Sequence, residues 1–375
     1  MSHSSKQLKF EPPPQSVLLR DREAGKWRLY EDPVEVFETY QLDEVSRILK
    51  RVEQEVETKG YYAAGFLSYE AAPAFDQSYS VYERNQYSEQ KDFPLIYFAL
   101  FRNVQQLNSL PPKDNKAIQL DWQPEISSEE YNSAISSIKE EIRNGITYQV
   151  NYTFRLRSPF SCSPYSYFRQ MVSAQGREQY AAYFDCGNFT ISSASPELFF
   201  KLQEGVIESH PMKGTARRKC SYIDDKQQGK WLQTSSKNRA ENVMIVDMVR
   251  NDLHRIARAG SVKTNPLFDI EKYPTVWQMV SRVQARTSAS LSDIFRALYP
   301  ASSITGAPKS STMEIISGLE HSPRNIYTGT VGFLDPGRRA QFNVAIRTVL
   351  FDNRKKFAEY GTGSGVVWDS ADTKE

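Results

Sequence analysis

Four side chains of reactive type lie along the middle of the chain: Gln149, Glu197, Lys213 and Glu241. Lys213 belongs to the basic stretch His210-Pro211-Met212-Lys213-Gly214-Thr215-Ala216-Arg217-Arg218 and stands immediately before its glycine. Glycine permits positive φ and close backbone approach, so the stretch can hold an amine against backbone N–H groups. Such an amine becomes a nucleophile if desolvation or a cationic neighbour, Arg217 or Arg218, lowers its pKa. Read alone, the stretch is more plainly a solvated basic turn. Glu197 follows Ser195-Pro196 and precedes a run of Leu and Phe. Partial desolvation there raises a carboxyl pKa and favours the proton-donating form; an exposed strand-edge glutamate is the plainer reading. Gln149 lies on the hydrogen-bonding side of an alternating segment, lining either a wet face or a polar cavity. Glu241, with Asp247 and Asp252, is an acid on a helix. Most such acids are solvated, yet magnesium is commonly held by one or two carboxylates with ligand oxygens and water.

Periodicity predicts the elements that must position these groups. Residues 17–19 and 27–30 read as strands around a Gly25 turn. Leu42, Val45, Leu49, Val52 and Val56 recur at helical spacing, and Gly60 stops that helix. Residues 61–69 and 95–101 read as buried strands. A linker without periodicity runs from about 104 to 124. Ser127 and Glu130 then form a capping box, and Tyr131, Ile135, Ile138 and Ile142 form a stripe closed by Gly145. Residues 146–157 alternate most cleanly: Ile146, Tyr148, Val150, Tyr152, Phe154 and Leu156 against Thr147, Gln149, Asn151, Thr153, Arg155 and Arg157. Residues 181–185, 189–193 and 198–202 are further strands. Residues 239–259 are a long helix with Val243, Met244, Val246, Met248, Val249, Leu253 and Ile256 on its buried side. A Pro- and Gly-punctuated loop, 298–309, leads into a helix at 310–319. Residues 329–333 and 344–350 are strands. Arg347 sits among apolar neighbours in the second, where an arginine usually has a carboxylate partner and its planar fork suits a substrate carboxylate. Gly361-Thr362-Gly363-Ser364-Gly365 reads as a loop whose amides can meet an anion, but it fits neither the dinucleotide nor the P-loop pattern.

Bulk properties narrow the classes. The chain has 375 residues, 39% of them hydrophobic, enough for one large or two ordinary domains with a sizeable core. Lys plus Arg is 47 against Asp plus Glu 45, which gives no nucleic-acid footprint. The 21 Tyr and 20 Phe suit a sheet-rich protein. Cys162, Cys186 and Cys220 form no C-x-x-C pair, and the polar N-terminus is not a signal peptide, so a reducing cytoplasm is expected. The longest apolar run, 95–101, is too short for a membrane span.

Six stretches occur in an order that is specific where each alone is not. They are Ser195-Pro196-Glu197-Leu198-Phe199, Met212-Lys213-Gly214-Thr215, Arg239-Ala240-Glu241-Asn242-Val243-Met244-Ile245-Val246-Asp247 with Arg250-Asn251-Asp252, Thr305-Gly306-Ala307-Pro308-Lys309, Ala345-Ile346-Arg347-Thr348 and Gly363-Ser364-Gly365. Over residues 125–375 the chain thereby resembles the chorismate-utilising enzymes: the anthranilate, aminodeoxychorismate and isochorismate synthases. Gly65-Phe66-Leu67-Ser68-Tyr69-Glu70-Ala71-Ala72 is similar to the lead-in of the aminodeoxychorismate branch. The resemblance implies an α+β fold of two packed antiparallel β-sheets with outer helices. Residues 1–120 would be a lead-in domain contributing to the sheets, and 121–375 the chorismate-binding catalytic domain.

Within the family, Lys before Gly-Thr resembles the aminodeoxychorismate branch, where anthranilate synthases usually have Ala. Isochorismate synthases usually carry a water-activating Lys where Gln149 stands, so Gln149 favours ammonia as nucleophile. The implied reaction converts chorismate and ammonia to 4-amino-4-deoxychorismate for p-aminobenzoate and folate. Glu197 protonates the departing C4 hydroxyl, Lys213 adds at C2, and ammonia then enters at C4. Magnesium, held by Glu241 and Glu375, bridges to the ring carboxylate. Thr215, Tyr327, Arg347, Gly363, Ser364 and Gly365 bind substrate. Ammonia comes from a separate glutaminase subunit or from solution. Three departures stand out: Gln278 replaces a His common in relatives, Asn238 replaces an acid one turn before Glu241, and the chain stops at Glu375, where relatives continue into a C-terminal helix. A truncated fusion with a lyase domain is one expectation from that end. The rival readings are anthranilate synthase component I, an isochorismate-type enzyme, and a noncatalytic ligand-binding member of the fold.

Overall fold

The computed structural model describes residues 11–83, 93–111, 117–176 and 179–370. The first ten residues of the expected leader, the middle of the expected linker and Glu375 lie outside them.

The strand-forming segments assemble into two large antiparallel sheets. The first runs Gly306–Ala307, Gln149–Pro159, Phe357–Val366, Thr348–Asp352, Phe189–Ser193, Ala182–Asp185, Val17–Asp21, Lys26–Tyr30, Gln105–Leu107, with Gln123–Pro124 also paired to Gln149–Pro159. The second runs Lys263–Thr264, Val283–Arg286, Val206–Ser209, Leu198–Gln203, Arg339–Asn343, Thr330–Asp335, Tyr62–Leu67, Ile96–Phe101, Glu35–Thr39. A small third sheet joins Met212–Arg217, Val276–Val280 and Asp269–Lys272. Strands from the first 107 residues extend both large sheets.

Period-two alternation splits each strand between two cores. Val17, Leu19, Ile191 and Leu350 of the first sheet meet Ala64, Phe66, Val331 and Phe333 of the second. Phe66 stacks on Tyr97 at 5.6 Å and meets Phe184 of the opposite sheet edge-on at 5.4 Å. The other face of the second sheet is covered by Leu42–Lys59, Ser236–His254 and Leu291–Leu298. Val45, Leu49, Val52 and Val56 of the Leu42–Lys59 helix are buried, and Gly60 caps it in the left-handed region. Ser128–Arg143, with its capping box, and Pro164–Gln175 cover the first sheet.

Several local expectations are corrected. The basic stretch is no turn: Met212–Arg217 is a strand. The Gly361–Gly365 segment is no loop: it continues the Phe357–Val366 strand, paired with Gln149–Pro159 from Phe357 to Val366. The alternating strand starts at Gln149; Ile146 and Tyr148 precede it and are exposed. Its polar face is not wet, because Gln149, Thr153 and Arg155 are all buried. Residues 344–350 are not one strand: Arg347 adopts φ +51°, and the strand is Thr348–Asp352. Arg339–Asn343 is a strand that periodicity did not mark. The long helix ends at His254, and Val243 is exposed while Asn242 and Asp252 are buried. The outer parts of the expected linker pair with the first sheet.

Candidate functional site

A bulge sets the position of Lys213. Met212 stands opposite Val280 and Thr215 opposite Gln278, so Met212–Arg217 carries one extra residue at Lys213-Gly214. Gly214 takes φ +93°, and a Cβ there would press to 3.1 Å from Asn238 Oδ1. Bulges of this kind re-aim side chains next to functional sites. Gln278 clamps both flanks: its Nε2 donates to the Gly214 carbonyl at 3.0 Å, and its Oε1 accepts from Thr215 Oγ1 at 2.9 Å. The cationic neighbours expected for Lys213 are elsewhere. Arg217 is exposed, Arg218 donates to Asp225 at 2.6 Å, and His210 bonds Glu208.

Lys213, Gln149 and Gly365 enclose one space. A Cβ on Gly365 would sit 3.2 Å from Gln149 Nε2 and 3.3 Å from Lys213 Nζ. Gln149 is 1% exposed, yet neither its Nε2 nor its Oε1 has a hydrogen-bond partner. Leaving such a buried group unpaired costs about 1–3 kcal/mol, and natural proteins accept that mainly where a ligand completes the bonding. Gly306 makes this placement possible. Gly306–Ala307 pairs against Val150 and Gln149, and a Cβ on Gly306 would overlap the Gln149 carbonyl.

Burial sets the charge states. It holds the Lys213 amine below the usual lysine range, against the pull of Glu197 and then Glu241. It pushes Glu197 up to about 7, against Ser303, Lys213 and the Met212 N–H. Desolvation thus disfavours the charged form of both groups, the direction that a nucleophilic amine and a proton-donating acid require, while their mutual attraction opposes it. Glu197 is itself fixed: its amide donates to Ser195 Oγ at 3.2 Å and its Oε1 accepts from Ser303 at 2.6 Å.

The remaining predicted residues lie as follows. Tyr327 is buried, its ring lies where a Gly361 Cβ would overlap it, and the Arg155 guanidinium is 5.2 Å from the ring centroid. Burial pushes its hydroxyl up to about 12, against Arg324 and Arg155. Arg347 is partly buried, 5.7 Å from the Tyr273 ring, and among the described residues no carboxylate pairs with it. Its left-handed backbone is uncommon for arginine and is the kind of strain that functional sites hold. Beyond Tyr360, the Phe357–Val366 strand has Gln149–Pro159 as its only strand neighbour among the described residues, so the outer edge at Gly363, Ser364 and Gly365 bears no ladder. Ser364 Oγ lies 3.5 Å from Tyr131 Oη. Thr215 is exposed beside Gln278.

For magnesium, Glu241 offers a partly exposed carboxylate on Ser236–His254 that acts electrostatically on Lys213. Among the described residues no three acidic, His or Cys side chains gather into a metal-binding group. A hard cation here would have Glu241 as its one described protein carboxylate of the expected pair and would take the rest of its ligands from substrate and water.

Spacing did not mark three supporting groups: Ser303 on Glu197, the Asp252–Lys309 pair at 3.0 Å, and the buried Arg155–Glu320–Arg324 cluster under Tyr327. Each joins residues far apart in sequence. Their one local signal is a charged or hydroxyl residue inside a stretch that must be buried.

A profile of chorismate binding enzymes matches residues 14–375. Aminodeoxychorismate synthase component 1 of Escherichia coli is 36% identical over 266 residues, 70% of this chain and 58% of that protein. The Bacillus subtilis protein of the same name is 37% identical over 247 residues, covering 65% and 52%. Anthranilate synthase component 1 of Lactococcus lactis is 30% identical over 318 residues, covering 83% and 69%. The matches span a little over half the length of the aminodeoxychorismate synthase relatives. Anthranilate synthase component I from Streptococcus pneumoniae superposes with a TM-score of 0.80 at 21% identity, covering 99% of this chain and 92% of that one, which shows the shared fold. The chain belongs to the chorismate binding enzyme family.

Proposed function

We propose that the protein aminates chorismate at C4 to give 4-amino-4-deoxychorismate, for p-aminobenzoate and folate synthesis. The observation that carries this reading is that the Lys213 amine and the unpartnered Gln149 amide converge on Gly365, with Glu197 acting on the same lysine. The aminodeoxychorismate synthase relatives support the same choice.

In the first half-reaction the neutral Lys213 amine bonds to C2, both ring double bonds shift by one position, and the C4–O bond breaks. Glu197 gives its proton to the departing oxygen, which leaves as water. In the second, ammonia bonds to C4, both double bonds return, and the C2–N bond breaks, so Lys213 leaves as a neutral amine. The new C4 ammonium returns one proton to Glu197, and atoms and charge balance. Gln149 lacks a basic group to activate water, and its amide oxygen accepts a hydrogen bond from entering ammonia. Arg347, Tyr327, Ser364 and the Gly363 and Gly365 amides hold the two substrate carboxylates, and Thr215 positions the ring. Bound magnesium, held by Glu241 and Glu375, would neutralise the ring carboxylate and orient the ring. A glutaminase subunit would supply ammonia, and a fused or separate lyase would act on the product.

The test is product analysis with chorismate, magnesium and ammonium. Aminodeoxychorismate without pyruvate is the expected result. Anthranilate with pyruvate, or turnover independent of ammonium, would reject the reading.

A further inference from the structure

Beside Glu197 lies a small space of about 20 Å³. Glu197, Ser209, Asp252, Ser302 and Ser303 contribute polar groups to its wall, and Phe199, Val249 and Leu298 are among its apolar members. A polar cavity holds a water once it exceeds roughly 10–15 Å³ and offers two or more hydrogen-bonding partners. Both conditions are met. We infer that this cavity binds one ordered water joining Ser303 to Asp252, and that Ser303 and Asp252 are positioning residues that direct the acidic proton of Glu197 to its Oε2. The inference deepens the proposed amination and rests on it.

The direction of the hydrogen bonds follows from the far end. Asp252 is ion-paired with Lys309 at 3.0 Å and accepts from Ser302 Oγ at 3.4 Å, so it is an acceptor. A water beside it donates one hydrogen to Asp252 and has the second for Ser303 Oγ. Ser303, now an acceptor from the water, turns its own hydrogen to Glu197 Oε1 at 2.6 Å. A carboxylic acid accepts best at its carbonyl oxygen, so an Oε1 that accepts from Ser303 favours the proton on Oε2. Were Ser303 reversed, the proton would lie on Oε1 and point into the protein, away from the reacting ring. The same donation stabilises the buried carboxylate after proton transfer, since hydrogen bonds to charged groups are the strong ones. The groups that act on Glu197 are Lys213 and the Met212 N–H from Met212–Arg217 and Ser303 from the Ser302–Ile304 turn; Ser209, Ser302 and Asp252 share the cavity wall with it, and Lys309 is paired with Asp252.

The experiment is steady-state kinetics of the full chain with chorismate, magnesium and ammonium for wild type, Ser303→Ala, Ser303→Thr and Asp252→Asn, with melting curves for each. A crystal structure resolving waters accompanies it. The expected results are a kcat about 10- to 100-fold lower in Ser303→Ala at little-changed KM, recovery in Ser303→Thr, a kcat loss in folded Asp252→Asn, and a water bonded to Ser303 and Asp252. An active wild type with a fully active, folded Ser303→Ala, or a dry cavity, would overturn this inference and leave the amination standing. A wild type that yields no aminated product would instead overturn the reading of the site itself.

Discussion

At the scale of single residues, the site rests on desolvation that disfavours the charged forms of both Glu197 and Lys213. Burial raises Glu197 from the ordinary 4.5 to about 7. The folded protein therefore holds a proton that the unfolded chain releases between those values. Its contribution to stability is complete below pH 4.5, falls as pH rises through 7, and is flat above, a change of about 3 kcal/mol. Glu197→Gln removes the titration. Denaturant unfolding at a series of pH values should show wild type losing stability relative to Glu197→Gln across that window; parallel curves would place Glu197 in solvent. Lys213 gives the complementary test. Among lysines of this chain it has a neutralising environment, so a pH-dependent amine-labelling experiment on folded protein should modify it ahead of the exposed lysines at mildly alkaline pH once the pocket admits the reagent. Labelling of Lys213 last, in a chain whose pocket is open to that reagent, would contradict the lowered amine. Glu before Leu and Phe pointed to a raised pKa only as the lesser reading beside an exposed strand-edge glutamate, and burial decides for it. The rationale for Lys213 was half right: desolvation acts, but Arg217 and Arg218 do not, because one is exposed and the other is neutralised by Asp225.

At the scale of elements, two glycines in one strand do different work. Gly365 leaves room between Gln149 and Lys213, and an added Cβ would reach only the flexible ends of those side chains. Gly365→Ala should lower turnover about tenfold or more with a melting temperature within a few degrees of wild type. Gly363 instead lies against the Tyr152 carbonyl and Thr153, where a Cβ meets backbone. Gly363→Ala should cost about 1–3 kcal/mol of stability, read from denaturant midpoints. Equal loss of stability in both variants would contradict the distinction. The pattern Gly-x-Gly-x-Gly was visible in the sequence, but its strand state was not. Glycine has poor strand propensity, and only the ten-residue pairing with Gln149–Pro159 overrides it. Arg347 hid for the reverse reason: its neighbours alternate like a strand, while the φ of +51° that breaks it has no local signature. The Lys213 bulge was likewise invisible, since it arises from register against Val276–Val280.

At the scale of the whole molecule, the sandwich is what brings residues 149, 197, 213 and 365 to one place. Helices with clean 3.6-residue stripes, hairpins flanking Gly25, and the buried 95–101 run could be read directly from the chain, because each is decided locally. Sheet order could not, because pairing of Phe357–Val366 with Gln149–Pro159 or of Thr330–Asp335 with Tyr62–Leu67 joins distant segments. The inter-sheet core should carry much of the stability. Phe66→Ala, which removes a ring touching Phe93, Tyr97 and Phe184, should cost about 3–5 kcal/mol in a single cooperative transition; a loss below 1 kcal/mol would mean that the sheets are held elsewhere. The measurement that bears most directly on the central claim is product analysis with chorismate, magnesium and ammonium for wild type and Lys213→Ala, with intact mass recorded during turnover. The expected result is aminodeoxychorismate from wild type, a transient mass increase matching a covalent adduct, and loss of both in a folded Lys213→Ala. Full activity in Lys213→Ala, or anthranilate with pyruvate from wild type, would contradict it and leave Lys213 a residue of a basic strand.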